Sequence, residues 1–155
     1  MKHVIEKERK FILKAMPVLG GYFREPKMIR QGYLMLGEGR QLRVRIVNDY
    51  DCYLTYKEAM TPETSREFEY KIAYEDAIIM YETCRYKLEK KRFTTFYKEY
   101  HVDIDIYPSG KQVVEIEYRN ELEEIPEYCG KEITGKKEYS NTWMAKQNNE
   151  IWDKE

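Results

Sequence analysis

At 155 residues the chain has the length of one ordinary domain, enough to bury a real core, and we expect a single domain over residues 1–155. Its 27 basic and 28 acidic side chains leave a formal net charge of -1, so no overall field steers it toward nucleic acid or an anionic membrane. Cys52, Cys84 and Cys129 are odd in number and lack Cys-x-x-Cys spacing, which argues against a disulfide framework or zinc site and for reduced packing residues. The charged start Met1-Lys2-His3 lacks an apolar signal core and no segment approaches ~18 apolar residues, so the expected location is the cytoplasm.

The first predicted element, a strand over Ile5–Leu13, alternates so that Glu6, Glu8 and Lys10 share one face. Pro17 followed by Gly20-Gly21 reads as a break over residues 17–21. A second strand, Met28–Leu36, contains Tyr33; Gly37-Glu38-Gly39 is a hairpin signal. Gln41–Val47 then puts Arg43 and Arg45 on one face and Leu42, Val44 and Ile46 on the other. After the turn Asn48–Asp51, alternation resumes in Cys52–Lys57, with Lys57 at its end. The Thr61–Ser65 loop leads to Arg66–Ile72, which sends Glu67 and Glu69 to one side and Phe68, Tyr70 and Ile72 to the other.

From Tyr74 the period changes: Ala77, Ile78, Tyr81 and Cys84 or Arg85 mark one face of a helix. Leu88–Phe93 returns to a strand with Lys90 and Arg92 on one face, and Val102–Ile106 follows with Asp103 and Asp105. Across the Pro108-Ser109-Gly110 turn, Val114–Tyr118 carries Glu115 and Glu117. Ser140 or Asn141 can cap a terminal helix through Trp143, Met144, Ile151 and Trp152. Seven or eight short strands in hairpin order with one main helix inserted predict an antiparallel sheet that curls toward closure, mainly β with a few helices.

Each strand thus has a greasy face and an ionic one, and a dry core cannot hold the ionic one, because burying an isolated ion costs on the order of tens of kcal/mol. The ionic face is either ordinary outer surface or the lining of a wet tunnel. Charges segregated strand by strand, acids with acids and bases with bases, count against a solvated sheet, which mixes signs between neighbours. A cavity with clustered acids and clustered bases has a natural ligand in a polyphosphate with a divalent metal, and oxygen-only donors favour Mg²⁺ or Mn²⁺ over zinc. No Gly-x-x-x-x-Gly-Lys-Ser/Thr exists, which excludes a Walker-type nucleotidase. His3 and His101 are each alone in sequence and read as surface or core residues, and most of the 15 tyrosines as packing.

Ile5-Glu6-Lys7-Glu8-Arg9-Lys10-Phe11 resembles the E-x-E-x-K signature of CYTH domains, the triphosphate tunnel metalloenzymes. Further resemblances follow in that family's order over residues 5–145: Arg30-Gln31-Gly32-Tyr33-Leu34, Arg43 with Arg45, Lys57, Glu67 with Glu69, Lys90 with Arg92, Asp105, Glu115 with Glu117, and Glu132–Gly135 leading into Tyr139-Ser140-Asn141. The resemblance implies a closed eight-stranded antiparallel β-barrel tunnel with a charged lumen, and, with the Arg-Gln-Gly-Tyr-Leu segment, Mg²⁺- or Mn²⁺-dependent hydrolysis of inorganic tripolyphosphate. It implies that Glu6, Glu8 and Glu117 hold one metal and that Glu69, Asp105 and Glu115 serve a second metal or its water. Arg43, Arg45, Lys57, Lys90 and Arg92 would grip phosphate with Lys10, Lys137 matches a late family lysine, and Lys10 would pair with Tyr33 to activate water. Lys136 and Glu138 are reversed in sign from the family pattern. The expected partner is a small-molecule triphosphate, without membrane or nucleic acid, and a homodimer is left open. Two other readings use the same residues: a class IV-type adenylate cyclase, and a non-catalytic polyphosphate or nucleotide-binding module.

Overall fold

The computed structural model describes residues 2–17 and 25–153, with side chains at 5–17 and 25–148. The break expected over residues 17–21 therefore falls, beyond Pro17, outside the described residues, as do the side chains of His3, Ile151 and Trp152. The strands are β1 (Lys2–Leu13), β2 (Lys27–Gly37), β3 (Arg40–Val47), β4 (Asp51–Ala59), β5 (Thr64–Ile72), β6 (Tyr86–Tyr97), β7 (Tyr100–Ile106), β8 (Gln112–Tyr118) and β9 (Cys129–Glu132). Helix α1 (Tyr74–Thr83) lies between β5 and β6, and a 3-10 turn (Lys137–Tyr139) precedes helix α2 (Asn141–Asp153).

The strands pair antiparallel in the order β5-β4-β3-β2-β6-β7-β8-β1-β9, and β1 pairs with β5 as well, which closes the first eight into a ring. Strands β2 to β5 follow hairpin order, as do β6 to β8, but the β2–β6 and β1–β5 pairings join distant segments that local signals do not predict. The hairpins use residues with left-handed backbone: Glu38 and Gly39 between β2 and β3, and Asn48 and Asp49 between β3 and β4, the two successive positive φ values that match the twist of the flanking strands.

The period-2 faces separate as the sequence predicts. Val44, Ile46 and Cys52 point outward and pack under Ala77 and Cys84, with Ile78 and Tyr81 beside them, so α1 covers β2 to β4 with its expected face. Gly32 permits this approach, since a Cβ there would lie 2.8 Å from Cys84 Sγ. Phe11, Val102, Ile104, Val114 and Ile116 form a second outer cluster with Cys129 of β9. All three cysteines are free and buried. A third cluster has a different position: Tyr33, Leu88 and Val113 come from the inner-face register and pack with Ile133, Met144 and Ala145, so the start of α2 stoppers one end of the ring. Ser140 caps α2, its Oγ accepting the Trp143 N–H at 3.2 Å. No helix among the described residues is long and apolar enough to cross a membrane.

Candidate active site

Charges are segregated along the strands, as the sequence predicts, but paired across them. Lys10 on β1 faces Glu115 on β8 in the ladder, with Nζ 3.4 Å from Oε1. Lys57 on β4 faces Glu67 on β5 at 3.4 Å and reaches Glu8 at 3.8 Å. Arg92 on β6 faces Asp105 on β7 and grips it through two hydrogen bonds of 2.7 and 2.8 Å; the same guanidinium lies 3.3 Å from Asp103 and 3.5 Å from Glu115. Lys90, fully buried, puts Nζ 2.9 Å from Asp105 Oδ2, the oxygen that also accepts from Arg92 Nη2. A ladder register sets these pairs, and register is decided by strands far apart in sequence.

These pairs set the protonation of the site. Burial alone would raise Asp105 and Glu115, but Arg92 and Lys90 outweigh it for Asp105, and Lys10, Arg92 and Lys90 hold Glu115 well below the usual carboxylate range. Burial would likewise lower the Lys10 amine, yet Glu115, Glu8 and Asp105 outweigh it and hold the proton more tightly than usual. Lys90 goes the other way: burial and then Arg92 pull it down to about 7 against the opposing Asp105 and Glu115.

Two groups of charge are met by opposite charge only through long contacts of 3.8 to 3.9 Å or through none among the described residues, and they are opposite in sign. Arg43 and Arg45 have β2 and β4 neighbours without charge at their ladder positions: Tyr33 and Thr55 for Arg43, Gln31 and Tyr53 for Arg45. Arg43 approaches only Glu67, at 3.9 Å, and its Nε has no hydrogen-bond partner among the described residues. Arg45 donates from Nε to Gln31 at 3.0 Å, and burial with the nearby Arg43 and Arg92 lowers it to about 10. Glu8 faces Glu117 directly in the β1–β8 ladder, and Glu6 lies beside Glu67 and Glu117. Burial raises Glu6 to about 8, with Glu67 and Glu117 adding to it, and Glu6 shares a side-chain hydrogen bond with Glu67.

Divalent metal is tested by that donor set. The donors are oxygens, carboxylate stands opposite carboxylate where Glu8 meets Glu117, and burial with Glu67 and Glu117 raises Glu6 to about 8, a set that fits Mg²⁺ or Mn²⁺ chemically. The set is not pre-assembled: among the described residues no three such groups converge as a formed metal centre. A pH effect follows. The folded state binds the Glu6 proton more tightly than the unfolded chain does, so this contribution to stability is complete below 4.5 and is lost as pH rises through about 8. Thermal midpoints of metal-free protein should fall across that window and Glu6→Gln should flatten the fall; an unchanged slope in the variant would place the titration elsewhere.

Other expected residues are placed as follows. Tyr33 is buried, and its hydroxyl accepts from Gln31 Nε2 at 2.8 Å, so an Arg45–Gln31–Tyr33 chain is formed and no hydrogen bond joins Tyr33 to Lys10 among the described residues. Asp105 and Glu115, expected to serve a second metal, have their oxygens engaged by cations because β6 and β1 set bases opposite them. Glu69 is exposed at the rim of a cavity of about 1030 Å³ lined also by Glu6, Glu67 and Glu117. Lys137 is exposed in the 3-10 turn and lines a second cavity, about 200 Å³, with Lys10, Arg43, Lys57 and Asn141. One cavity rim is therefore acidic and the other basic.

Three residues were missed. Glu67, only 7% exposed, lies deeper than Glu69; the alternating face contained both, but depth along a strand is invisible locally. His101 places its ring nitrogens 3.8 Å from Glu117 and from Asp103, and its position two before Asp103 was the available signal. Asn141 appeared as a helix cap, yet its Oδ1 accepts from Tyr107 and Lys90.

A ring of eight strands with a charged, largely paired inner face, leaving clustered arginines and clustered carboxylates, is suited to a polyanion together with a cation. No family model matches the chain. An inorganic triphosphatase of Acetivibrio thermocellus is 30% identical over 126 residues, covering 77% of this chain and 80% of that one. The chain belongs to the CYTH-type inorganic triphosphatase family. The solved inorganic triphosphatase NE1496 is 25% identical, with a TM-score of 0.64 over 90% of this chain and 93% of its own. The Hippeastrum protein HpAC1, described as a putative adenylyl cyclase with dominant triphosphatase activity, shares the fold at 16% identity, with a TM-score of 0.54 over 74% of this chain and 80% of its own.

Proposed function

We propose that this protein hydrolyses inorganic tripolyphosphate, bound inside a charged β-tunnel, with Mg²⁺ or Mn²⁺. The observation that carries the reading is the residual charge of the inner face: Arg43, its Nε without a hydrogen-bond partner among the described residues, at one side, Glu6 and Glu117 at the other, and Glu8, opposite Glu117 in the ladder yet lining the cavity of Arg43, between them. A polyanion and a divalent cation satisfy both at once.

In this mechanism Arg43, Arg45 and Lys57 bind phosphate oxygens, while Lys90 and Arg92, held by Asp105, keep fixed donors in the lumen; Lys137 meets the anion at the basic rim. When bound among Glu6, Glu8 and Glu117, the metal neutralises charge on the phosphate chain. Water attacks the terminal phosphorus in line, the bridging P–O bond breaks, and orthophosphate and pyrophosphate leave. In its neutral form, which the neighbouring acids make scarce until pH rises, Lys10 accepts the water's proton, with Tyr33 orienting the nucleophile through the Gln31–Arg45 chain. Glu115 holds the Lys10 side chain in place, and Glu69 at the acidic rim attracts the incoming cation. The small-molecule substrate sets the partner class, and the absence of strong net charge supports a protein working free of nucleic acid and membrane.

The test is a panel of inorganic tripolyphosphate, ATP and thiamine triphosphate with Mg²⁺, Mn²⁺ or excess chelator, following phosphate and cyclic AMP. Phosphate release should be fastest from tripolyphosphate and vanish with chelator. Cyclic AMP with pyrophosphate from ATP would instead assign a cyclase, and tight binding without turnover a sensor module.

A further inference from the structure

Asn141 opens α2 where that helix meets β6, and its carboxamide is held in one orientation. Oδ1 accepts from the Tyr107 hydroxyl at 2.5 Å and from Lys90 Nζ at 3.3 Å. A charged Lys90 only donates, so in that form the oxygen faces Lys90 and the amide is not flipped. Those two donors use both lone pairs of Oδ1, and Nδ2 has no hydrogen-bond partner among the described residues. Burial raises the Tyr107 hydroxyl above its ordinary value, which keeps it a donor.

The cavity beside Asn141, about 200 Å³, is also lined by Arg43, Lys57, Lys136, Lys137 and Lys10, which outnumber its carboxylates, Glu8 and Glu63. An independent observation points to its occupant: the Arg43 side chain is 7% exposed, lines the same cavity, and its Nε is buried without a hydrogen-bond partner among the described residues. A buried N–H left unpaired is costly, which marks Arg43 as a side chain that gains from shifting its guanidinium toward an anion, and the Asn141 carboxamide N–H beside several cations is a donor that a tetrahedral oxyanion accepts from.

We propose that Asn141 is a phosphate-contacting residue, its Nδ2 donating to a phosphate of the substrate in this cavity while its Oδ1 fixes Lys90. The inference rests on the triphosphate reading and adds a polar, uncharged contact from the helix that stoppers the ring. Turning the same amide to two jobs ties the seating of α2 to the placement of a buried lysine.

Three variants separate the jobs. Asn141→Asp keeps an oxygen for Lys90 and Tyr107 and replaces the donor with a charged acceptor. Asn141→Ser retains a small oxygen without the amide, and Asn141→Ala removes both. For each, the dissociation constant of inorganic tripolyphosphate by calorimetry, kcat and KM for phosphate release, and the thermal midpoint are measured. Asn141→Asp should keep the wild-type midpoint while KM and the dissociation constant rise at least about tenfold, the size of a lost bond to a charged group. Asn141→Ser should show the weaker binding if the aspartate does not fold, and Asn141→Ala should lose kcat as well. Wild-type KM and affinity in Asn141→Asp or Asn141→Ser overturns the proposal, as does a change in Asn141→Ala confined to the thermal midpoint. If the wild-type protein binds tripolyphosphate without hydrolysing it, the hydrolase reading fails while the ratio of affinities still judges Asn141; if it binds none, both fail.

Discussion

Arg92→Met should destabilise the protein at neutral pH by about 3–5 kcal/mol, the usual result of removing one partner from a buried charge cluster. The guanidinium touches Asp105 at 2.7 and 2.8 Å, Asp103 at 3.3 Å and Glu115 at 3.5 Å, so its loss leaves three buried carboxylates crowded together. Lys90 still reaches Asp105 and Lys10 still reaches Glu115, but neither is bidentate. For a chain of this size the thermal midpoint should drop by roughly 10 °C. The loss should shrink in acid, because Arg92 lowers Asp105 and Glu115, and protonating them removes the charges it compensates. Urea unfolding at pH 7 and pH 4 checks this, and equal losses at both would mean that methionine disrupts packing rather than charge.

Lys10→Met should reduce kcat/KM by about 10²–10³-fold while leaving the fold intact, a loss of the size seen when one preorganised donor or proton acceptor is removed. The more informative variant is Lys10→Arg, which retains charge but cannot accept a proton near neutral pH. Burial is outweighed at Lys10 by Glu115, Glu8 and Asp105, so the amine is charged in the metal-free protein and its base form grows only as pH rises. We expect kcat to climb toward alkaline pH in the wild type, and Lys10→Arg to lose both the climb and most of the turnover. Wild-type kcat and slope in Lys10→Arg would make the lysine an electrostatic clamp.

The faces of the strands were legible because alternation is local: Glu6-Glu8-Lys10, Arg43-Arg45 and Glu115-Glu117 all lie inward as their spacing demands. So was the buried face of α1, where Ala77, Ile78, Tyr81 and Cys84 pack as their helical spacing requires. What the sequence hid was non-local. Which acid meets which base depends on register, and Asp105 reads as a free carboxylate until Arg92 and Lys90 are set opposite and beside it. Strand β9 is only Cys129–Glu132, contains Gly130 and has no apolar alternation, so nothing local marks it. Asn141 reads as a cap because capping is a local role, and its contact with Lys90 spans 51 residues.

The closing of the ring through β1 has a consequence for how the chain folds. Strand β1 precedes all its partners, and its ladders with β5, β8 and β9 can close only as Thr64–Ile72, Gln112–Tyr118 and Cys129–Glu132 are made in turn. Pairings so distant in sequence carry a high loop-closure cost before they are rewarded, which places this chain among slow folders. Until β5 and then β8 are available, Glu6, Glu8 and Lys10 sit on a strand with unsatisfied edges, a template for pairing with another chain. Alternating charge on one face of that strand keeps the waiting edge soluble. The residues proposed to hold the metal would thus also guard the nascent chain against aggregation.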